Sequence, residues 1–208
     1  MDHEHSETER VRRLWDRFAG KYDRTIGVAE NFFFRGGRAW ACGQASGKVL
    51  EVAAGTGLNL QHYPPGTDLT AIDISEKMLG FAREKAGRLG LTAAIRQGDA
   101  QNLAFPDQSF DTVVLTLSLC NIPDDRRAAS EIHRVLRPGG RLILLEHVRS
   151  PCLPVRLVQR LINPLSVRLQ GDHQTRDPMD YLESVGFEVE HLERRRLGIA
   201  ERVIARRR

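Results

Sequence analysis

Cysteine is scarce in this chain. Its three, Cys42, Cys120 and Cys152, are odd in number and show no paired metal-ligand spacing, which excludes a disulfide framework and a structural zinc module. Reduced thiols in a cytoplasmic setting are expected instead. Long apolar runs are lacking as well, since none approaches the roughly 20 residues that a helix needs to span a bilayer. The opening Met-Asp-His-Glu-His-Ser is polar and acidic, unlike a secretory signal. No internal repeat and no low-complexity tract is present, so a repeat array and wholesale disorder are excluded.

What remains is a globular composition. Hydrophobic residues make up 41% and charged residues 28% of 208, a length that suits one well-buried domain. The formal charge of +4 raises nucleic acid as a partner. Much of the excess, however, sits in Arg194, Arg195 and Arg196 and in Arg206, Arg207 and Arg208. Elsewhere charges of both signs are interspersed, and no basic-aromatic motif accompanies them. Arginines on a terminal strand read as a solvated edge that discourages aggregation, and nucleic acid is not expected.

Val11, Leu14, Trp15, Phe18, Ala19 and Tyr22 fall on one stripe at helical spacing and predict an amphipathic first helix. Residues 28–46, with Phe32, Phe33, Phe34 and Trp40, predict a second helix closed by Ser46-Gly47. From Lys48 short apolar runs alternate with longer mixed segments. Strands are expected at 49–52, 69–73, 93–97, 112–117 and 141–146. Ser75 caps a helix carrying Met78, Leu79, Ala82 and Ala86, and a helix through 127–136 is stopped by Arg137-Pro138-Gly139-Gly140. This rhythm implies right-handed crossovers, hence an α/β fold with a mainly parallel sheet and helices on both faces. Such sheets bind ligands beyond the carboxyl ends of their strands. After Ser150 the alternation stops. Val155, Val158, Leu161, Ile162 and Leu165 predict a helix over 154–170, broken near Pro164. Another helix is expected over 177–185, then closing strands at 187–192 and 202–205, with no compositional break marking a second domain.

The densest local pattern is Val49-Leu50-Glu51-Val52-Ala53-Ala54-Gly55-Thr56-Gly57-Leu58-Asn59-Leu60. Gly55 and Gly57 follow a buried strand, where the missing Cβ lets backbone approach a ligand. Glu51, at the strand's end, is placed to hold a positively charged group. A dinucleotide fingerprint would need a third glycine, and that position is Leu60; no Gly-Lys-Ser/Thr phosphate loop is present either. A nucleoside without phosphates fits better. Asp73 ends the second strand, where a carboxylate can accept from both ribose hydroxyls. Gly98-Asp99-Ala100 follows the third, where Asp99 can accept from an exocyclic adenine amine while Ile74 and Met78 flank the ring. Each acid alone has a plainer reading as a cap or a turn former; together they mark a pocket. No metal constellation is visible.

On these residues, together with Phe105-Pro106-Asp107, Phe110-Asp111 and Leu136 through Gly140, the chain resembles the class I S-adenosylmethionine-dependent methyltransferases, closely over 10–150 and more loosely beyond. The resemblance implies a Rossmann-like, doubly wound, seven-stranded sheet, mainly parallel, with an antiparallel closing strand. It implies S-adenosylmethionine as cofactor and S-adenosylhomocysteine as product. Gly55 and Gly57 would line the methionine portion, Asp73 the ribose, Asp99 the adenine amine, and Thr116 and Leu117 the reacting end. The full donor-binding set adds Tyr22, Glu51, Ala53, Asn59, Ile74, Met78, Gly98 and Ala100. Ala53 departs from the glycine that the family often carries there. Tyr22-Asp23-Arg24 resembles the quinone-methylating group. Gly57-Leu58-Asn59-Leu60, Tyr63-Pro64-Pro65-Gly66, Leu117-Ser118-Leu119-Cys120, Leu145 through Ser150 and Asp172 through Asp177 resemble the methyltransferase-like thiol S-methyltransferases, which shade into phospholipid N-methyltransferases.

The expected reaction is methyl transfer to a small molecule, foremost a thiol. The alternatives are a phospholipid amine or a quinone carbon, or a donor-binding accessory protein without catalysis. A thiol needs little help to ionise; His147 and then His173 are the candidate bases, and Cys120 a candidate lining residue. Residues 1–208 form a single domain, divided into a helical lid (1–46), a donor-binding core (47–150), acceptor-side helices (151–186) and closing strands (187–208). The 154–170 helix reads as a pocket wall or, with Arg156, Arg160 and Arg168 beside its apolar stripe, as a surface that rests on anionic membrane; the wall is the favoured assignment.

Overall fold

Val49, Leu50 and Val52 are all buried, with side chains on both faces of their strand shielded, which only a strand between two helical layers can achieve. A computed structural model describes residues 2–208, with the side chains of 2–5, 28, 29 and 31 outside the description. Its strands are β1 (Lys48–Val52), β2 (Asp68–Asp73), β3 (Ala93–Gln97), β4 (Phe110–Thr116), β5 (Leu136–His147), β6 (Phe187–Arg195) and β7 (Ala200–Arg207). They form a seven-stranded sheet in the order β3-β2-β1-β4-β5-β7-β6. The first five run parallel, and β7 pairs antiparallel with both β5 and β6. Strand order reverses between β1 and β4, so a crevice opens beyond their carboxyl ends.

The helices are α1 (Asp2–Phe18), α2 (Tyr22–Phe33), α3 (Gly37–Gly43), α4 (Glu76–Leu89), α5 (Asp125–Val135), α6 (Leu153–Gln170) and α7 (Leu182–Val185). Ser75 Oγ caps α4 by accepting from Met78 N at 3.1 Å, and Gly90 ends that helix at φ 65°. Asp124 caps α5 in the same way. One core face is built from α5, α7 and the sheet around Phe110, Ile132 and Phe187; the other joins α3 to Val49, Val114 and Ile143. Each such side chain is worth about 1.5–3 kcal/mol when fully buried.

Several element boundaries differ from expectation. The first stripe is split: α1 ends at Phe18, a 3-10 turn spans Ala19–Lys21, and α2 begins at Tyr22. The 28–46 helix is two helices, parted where Gly36 turns left-handed at φ 70°. β5 starts at Leu136 rather than at 141. Phe110 pairs with Leu136 and Thr112 with Arg141, so Arg137-Pro138-Gly139-Gly140 is a bulge within the ladder. A Cβ on Gly140 would stand 2.8 Å from Arg137 O, which explains the glycine. Pro164 does not break α6, because Pro removes one backbone donor while the remaining turns continue. The 177–185 segment is a 3-10 turn at Pro178–Asp180 followed by the single turn of α7.

Candidate active site

The turn after β1 is wound by left-handed residues: Ala53 at φ 56°, Gly55 at 56° and Gly57 at 77°. Alanine tolerates that conformation at a cost of about 1–2 kcal/mol. Asp73, at the end of β2, fastens the turn. Its Oδ2 accepts from Gly55 N and its Oδ1 from Ser75 N, both at 2.8 Å. Burial pushes this carboxyl up to about 6, and the Ser75 and Gly55 amides hold it from rising further. A Cβ on Gly55 would project into open space, whereas one on Gly57 would meet Leu60 Cδ1 at 2.7 Å and Ala82 Cα at 3.0 Å. Gly55 therefore borders an opening, and Gly57 lets α4 pack against the turn.

That opening is a cavity of about 810 Å³, counting its mouth. Ala53 and Gly55 form its floor with Asp73 and Ile74 from the end of β2 and Met78 from α4. Gly98, Asp99 and Ala100 line it beyond β3, and Thr116 and Leu117 beyond β4. Tyr22 closes it from α2. The topology thus brings together most of the expected donor-binding residues.

Glu51, Asn59 and Gly57 stand behind this wall. Glu51 is 1% exposed, and its Oε1 accepts from Asn59 Nδ2 at 2.8 Å. Asn59 Nδ2 also donates to Thr116 Oγ1 at 2.9 Å, and its Oδ1 accepts from Arg38 at 2.9 Å. Arg38 donates to Thr116 Oγ1 and pairs with Glu30 at 2.6 Å. Burial lifts Glu51 to about 7 despite Asn59, and its Oε2 is left without a partner. The three acids therefore do not converge as equals: Asp73 and Asp99 face the cavity and Glu51 supports it from one layer back.

Three polar lining residues, beside the apolar Ile122 and Pro123, were not expected from the sequence. Arg38 is delivered by α3, far from any motif. Gln101 follows the Gly98-Asp99-Ala100 turn directly and was legible there. Its backbone N and Nε2 donate to Asp99 Oδ1, its Nε2 also reaches Thr8 Oγ1 at 3.1 Å, and its Oε1 accepts from Asp124 N at 3.0 Å. Asn121 lies in the 3-10 turn after β4. The covering helix α1 contributes Val11 and Trp15 to the cavity, and Ser75 Oγ donates to its Asp16 Oδ1 at 2.6 Å. No residue of α6 lines the cavity, so the expected wall is supplied by α1, α2 and α3 instead.

Neither candidate base opens on the cavity. His147 lies at 2.7 Å from Asp172 Oδ1 through Nε2, and its Nδ1 is buried without a partner. Burial opposes its protonation, but Asp172 outweighs this and raises the imidazole above its ordinary value. Asp172 also accepts from Ser166 and Gln174, and burial working against the His147 contact leaves its carboxyl below the usual range. Cys120 joins the pair, with ligand-type atoms of the three residues within 4.8 Å of one another. Burial and the Asp172 and Glu146 charges drive its thiol far up, so it is a poor nucleophile. Cys, His and Asp are donor types for a divalent cation, although no sequence spacing announced them. Here the carboxylate is already engaged by side-chain donors. His173 holds Cys120 O through its backbone N at 3.0 Å, and its ring is shifted down by burial and Arg176.

A crevice at the strand-order reversal, bordered by a glycine turn and two strand-end acids, invites comparison with known proteins. A family model described as "Methyltransferase domain" matches residues 50–144. Demethylmenaquinone methyltransferase of Tropheryma whipplei is 34% identical over 171 residues, 78% of this chain and 70% of that protein. The chain belongs to the class I S-adenosylmethionine-dependent methyltransferases. Among other members of that methyltransferase family, the phosphatidylethanolamine N-methyltransferase of Cereibacter sphaeroides is 41% identical over 118 residues, 56% of this chain and 58% of that protein. Thiol S-methyltransferase TMT1B of Rattus norvegicus is 35% identical over 150 residues, 70% of this chain and 62% of that protein. These last two relatives are thus spanned over less than two thirds of their length. A solved S-adenosylmethionine-dependent methyltransferase from Thermotoga maritima superposes with a TM-score of 0.72 at 22% identity, covering 94% of this chain and 99% of that chain. This methyltransferase fold accounts for the sheet order, the glycine turn and the position of the cavity.

Proposed function

We propose that the chain transfers a methyl group from S-adenosylmethionine to a small thiol. The donor, when bound, supplies a methyl carbon already activated by a sulfonium. The residues fit it: the Asp73 carboxylate offers acceptors for ribose hydroxyls, Asp99 one for the adenine amine, and Ile74 and Met78 apolar flanks. The open space beside Gly55 admits backbone contact with the methionine portion. Glu51, with its unpartnered oxygen, sets the potential of that corner through Asn59 and Arg38.

The observation that carries the acceptor reading is the composition of the wall. Among the described residues that line the cavity there is no histidine, lysine or cysteine, and Tyr22 is pushed up to about 12 by burial. An acceptor here loses its proton without a strong base, which a thiol near its ordinary pKa of about 8.5 does readily. The Arg38 guanidinium stays charged in the wall, paired with Glu30, and offers a thiolate a nearby cation. Enclosure by α1 then excludes water and aligns the partners, an effect worth about 7–11 kcal/mol at best. Isotopically labelled donor offered with a panel of thiols, amines and quinols tests this. Transfer to thiols that rises with thiolate fraction supports it, and transfer only to amines or carbons rejects it. A phospholipid amine is the second reading, favoured by the exposed apolar face of α6; label recovered in extracted lipid would establish it.

A further inference from the structure

The strongest feature outside the cavity lies on α6. Leu153, Leu157, Leu161, Leu165 and Leu169 recur at every fourth position and are 56, 54, 82, 60 and 58% exposed. Val158 and Ile162 widen the stripe. The opposite side is fastened inward through Gln159, whose Oε1 accepts from Ser150 N at 2.8 Å and whose Nε2 donates to Val148 O at 2.9 Å. The helix is therefore held with its apolar face toward solvent, the reverse of an ordinary surface helix. Scattered exposed leucines are normal; a continuous row marks an interaction surface.

Charge decides what covers it. α6 carries Arg156, Arg160 and Arg168 and no acidic residue. The turn between β6 and β7 adjoins its amino end: Ser150 Oγ donates to Leu197 O, and a Cβ on Gly198 would run into Pro151. Leu197 is itself 67% exposed, and Arg196 lies over the ring of Phe32, which is exposed as well. Two separate elements thus pair exposed apolar side chains with arginines. A second copy of this chain would meet the face with arginines of its own.

We propose that this face docks on an anionic phospholipid bilayer, its leucines entering the acyl boundary and its arginines meeting lipid phosphates. The carboxyl end of α6 also holds the helix that covers the cavity. Arg10 donates to Val167 O and Arg168 O, and Gly171 leaves room for Val11. The docking helix and the covering helix are therefore in direct contact.

Flotation of the full chain with phosphatidylglycerol-rich vesicles and with pure phosphatidylcholine vesicles tests the proposal. Binding is expected to the anionic vesicles, to weaken with salt, and to be at least about tenfold poorer on phosphatidylcholine. Leu157→Ser with Leu161→Ser should lower vesicle affinity about a hundredfold, and Arg156→Gln with Arg160→Gln about thirtyfold. All four side chains can change with little effect on the melting temperature, which checks the fold. Absence of binding to anionic vesicles, or binding indifferent to the leucine pair, overturns the proposal. So does a stable dimer that Leu161→Ser dissociates while vesicle binding is nil. Methyl transfer is not read in this experiment, so its failure is distinct from failure of the acceptor assignment.

Discussion

The ends of β2 and β5 carry the same kind of residue and use it oppositely. Asp73 fastens the glycine turn with both oxygens yet still faces the cavity. Glu146 faces only backbone, accepting from Ser118 N at 2.9 Å and Leu119 N at 3.1 Å, and so fixes the loop whose Leu117 and Ser118 form the far wall. Its neighbour His147 is bound to Asp172 in the same spirit. An acid at a strand end thus fastens its loop on both sides of the switch point, but only on the β2 side does it also face the cavity. What separates them is that the loop after β4 folds over Glu146, whereas the turns around Asp73 leave it open to the cavity.

The contrast can be broken by substitution. Gly57→Val is expected to cost the most, about 4 kcal/mol, from a left-handed backbone and overlap with Leu60 and Ala82; a melting temperature close to the parent would refute the packing role. Glu146→Ala should destabilise by about 2–3 kcal/mol, because two buried amides lose their acceptor, and should lower transfer only through loosening of the loop. Asp73→Asn should weaken S-adenosylhomocysteine binding about thirtyfold in calorimetry; an unchanged affinity would remove the pocket assignment. His147→Gln should leave the pH profile of transfer in place and change its rate less than about threefold, since the imidazole does not reach the cavity. A profile that loses a limb would make it a base after all.

Acidity sharpens the same contrast. Burial raises Glu51 and Glu146 to about 7 and Asp73 to about 6, above the ordinary carboxylate values. Folding therefore favours their protonated forms. That contribution is complete below about pH 4 and is lost as pH rises through about 6 to 7. The melting temperature should drift downward between about pH 5 and pH 8, and Glu146→Gln should reduce the slope. Donor affinity should move the other way, tightening as Asp73 ionises.

The sheet was legible because alternating apolar runs and capped helices leave few topologies open. Ser75 and the strand-end acids appear where their local chemistry demands them. The misplaced boundaries have a common cause. Arg137-Pro138-Gly139-Gly140 is a bulge rather than a stop because pairing with Phe110 and Thr112 continues around it, a tertiary fact that no local signal carries. The outward face of α6 stood only as the less favoured alternative for a similar reason: periodicity finds a stripe without saying which way it points, and Gln159 settles that through bonds to a distant loop. His147 misled because chemistry in the sequence is judged by residue type, and its partner Asp172 arrives from 25 positions away.

Ser75 has a single hydroxyl with two obligations. As acceptor it completes the first turn of α4 at Met78, and as donor it latches Asp16 of α1. The start of α4 and the tie to the helix over the cavity are thus one oxygen atom. Ser75→Ala would therefore remove the cap of α4 and the tie to α1 in a single substitution.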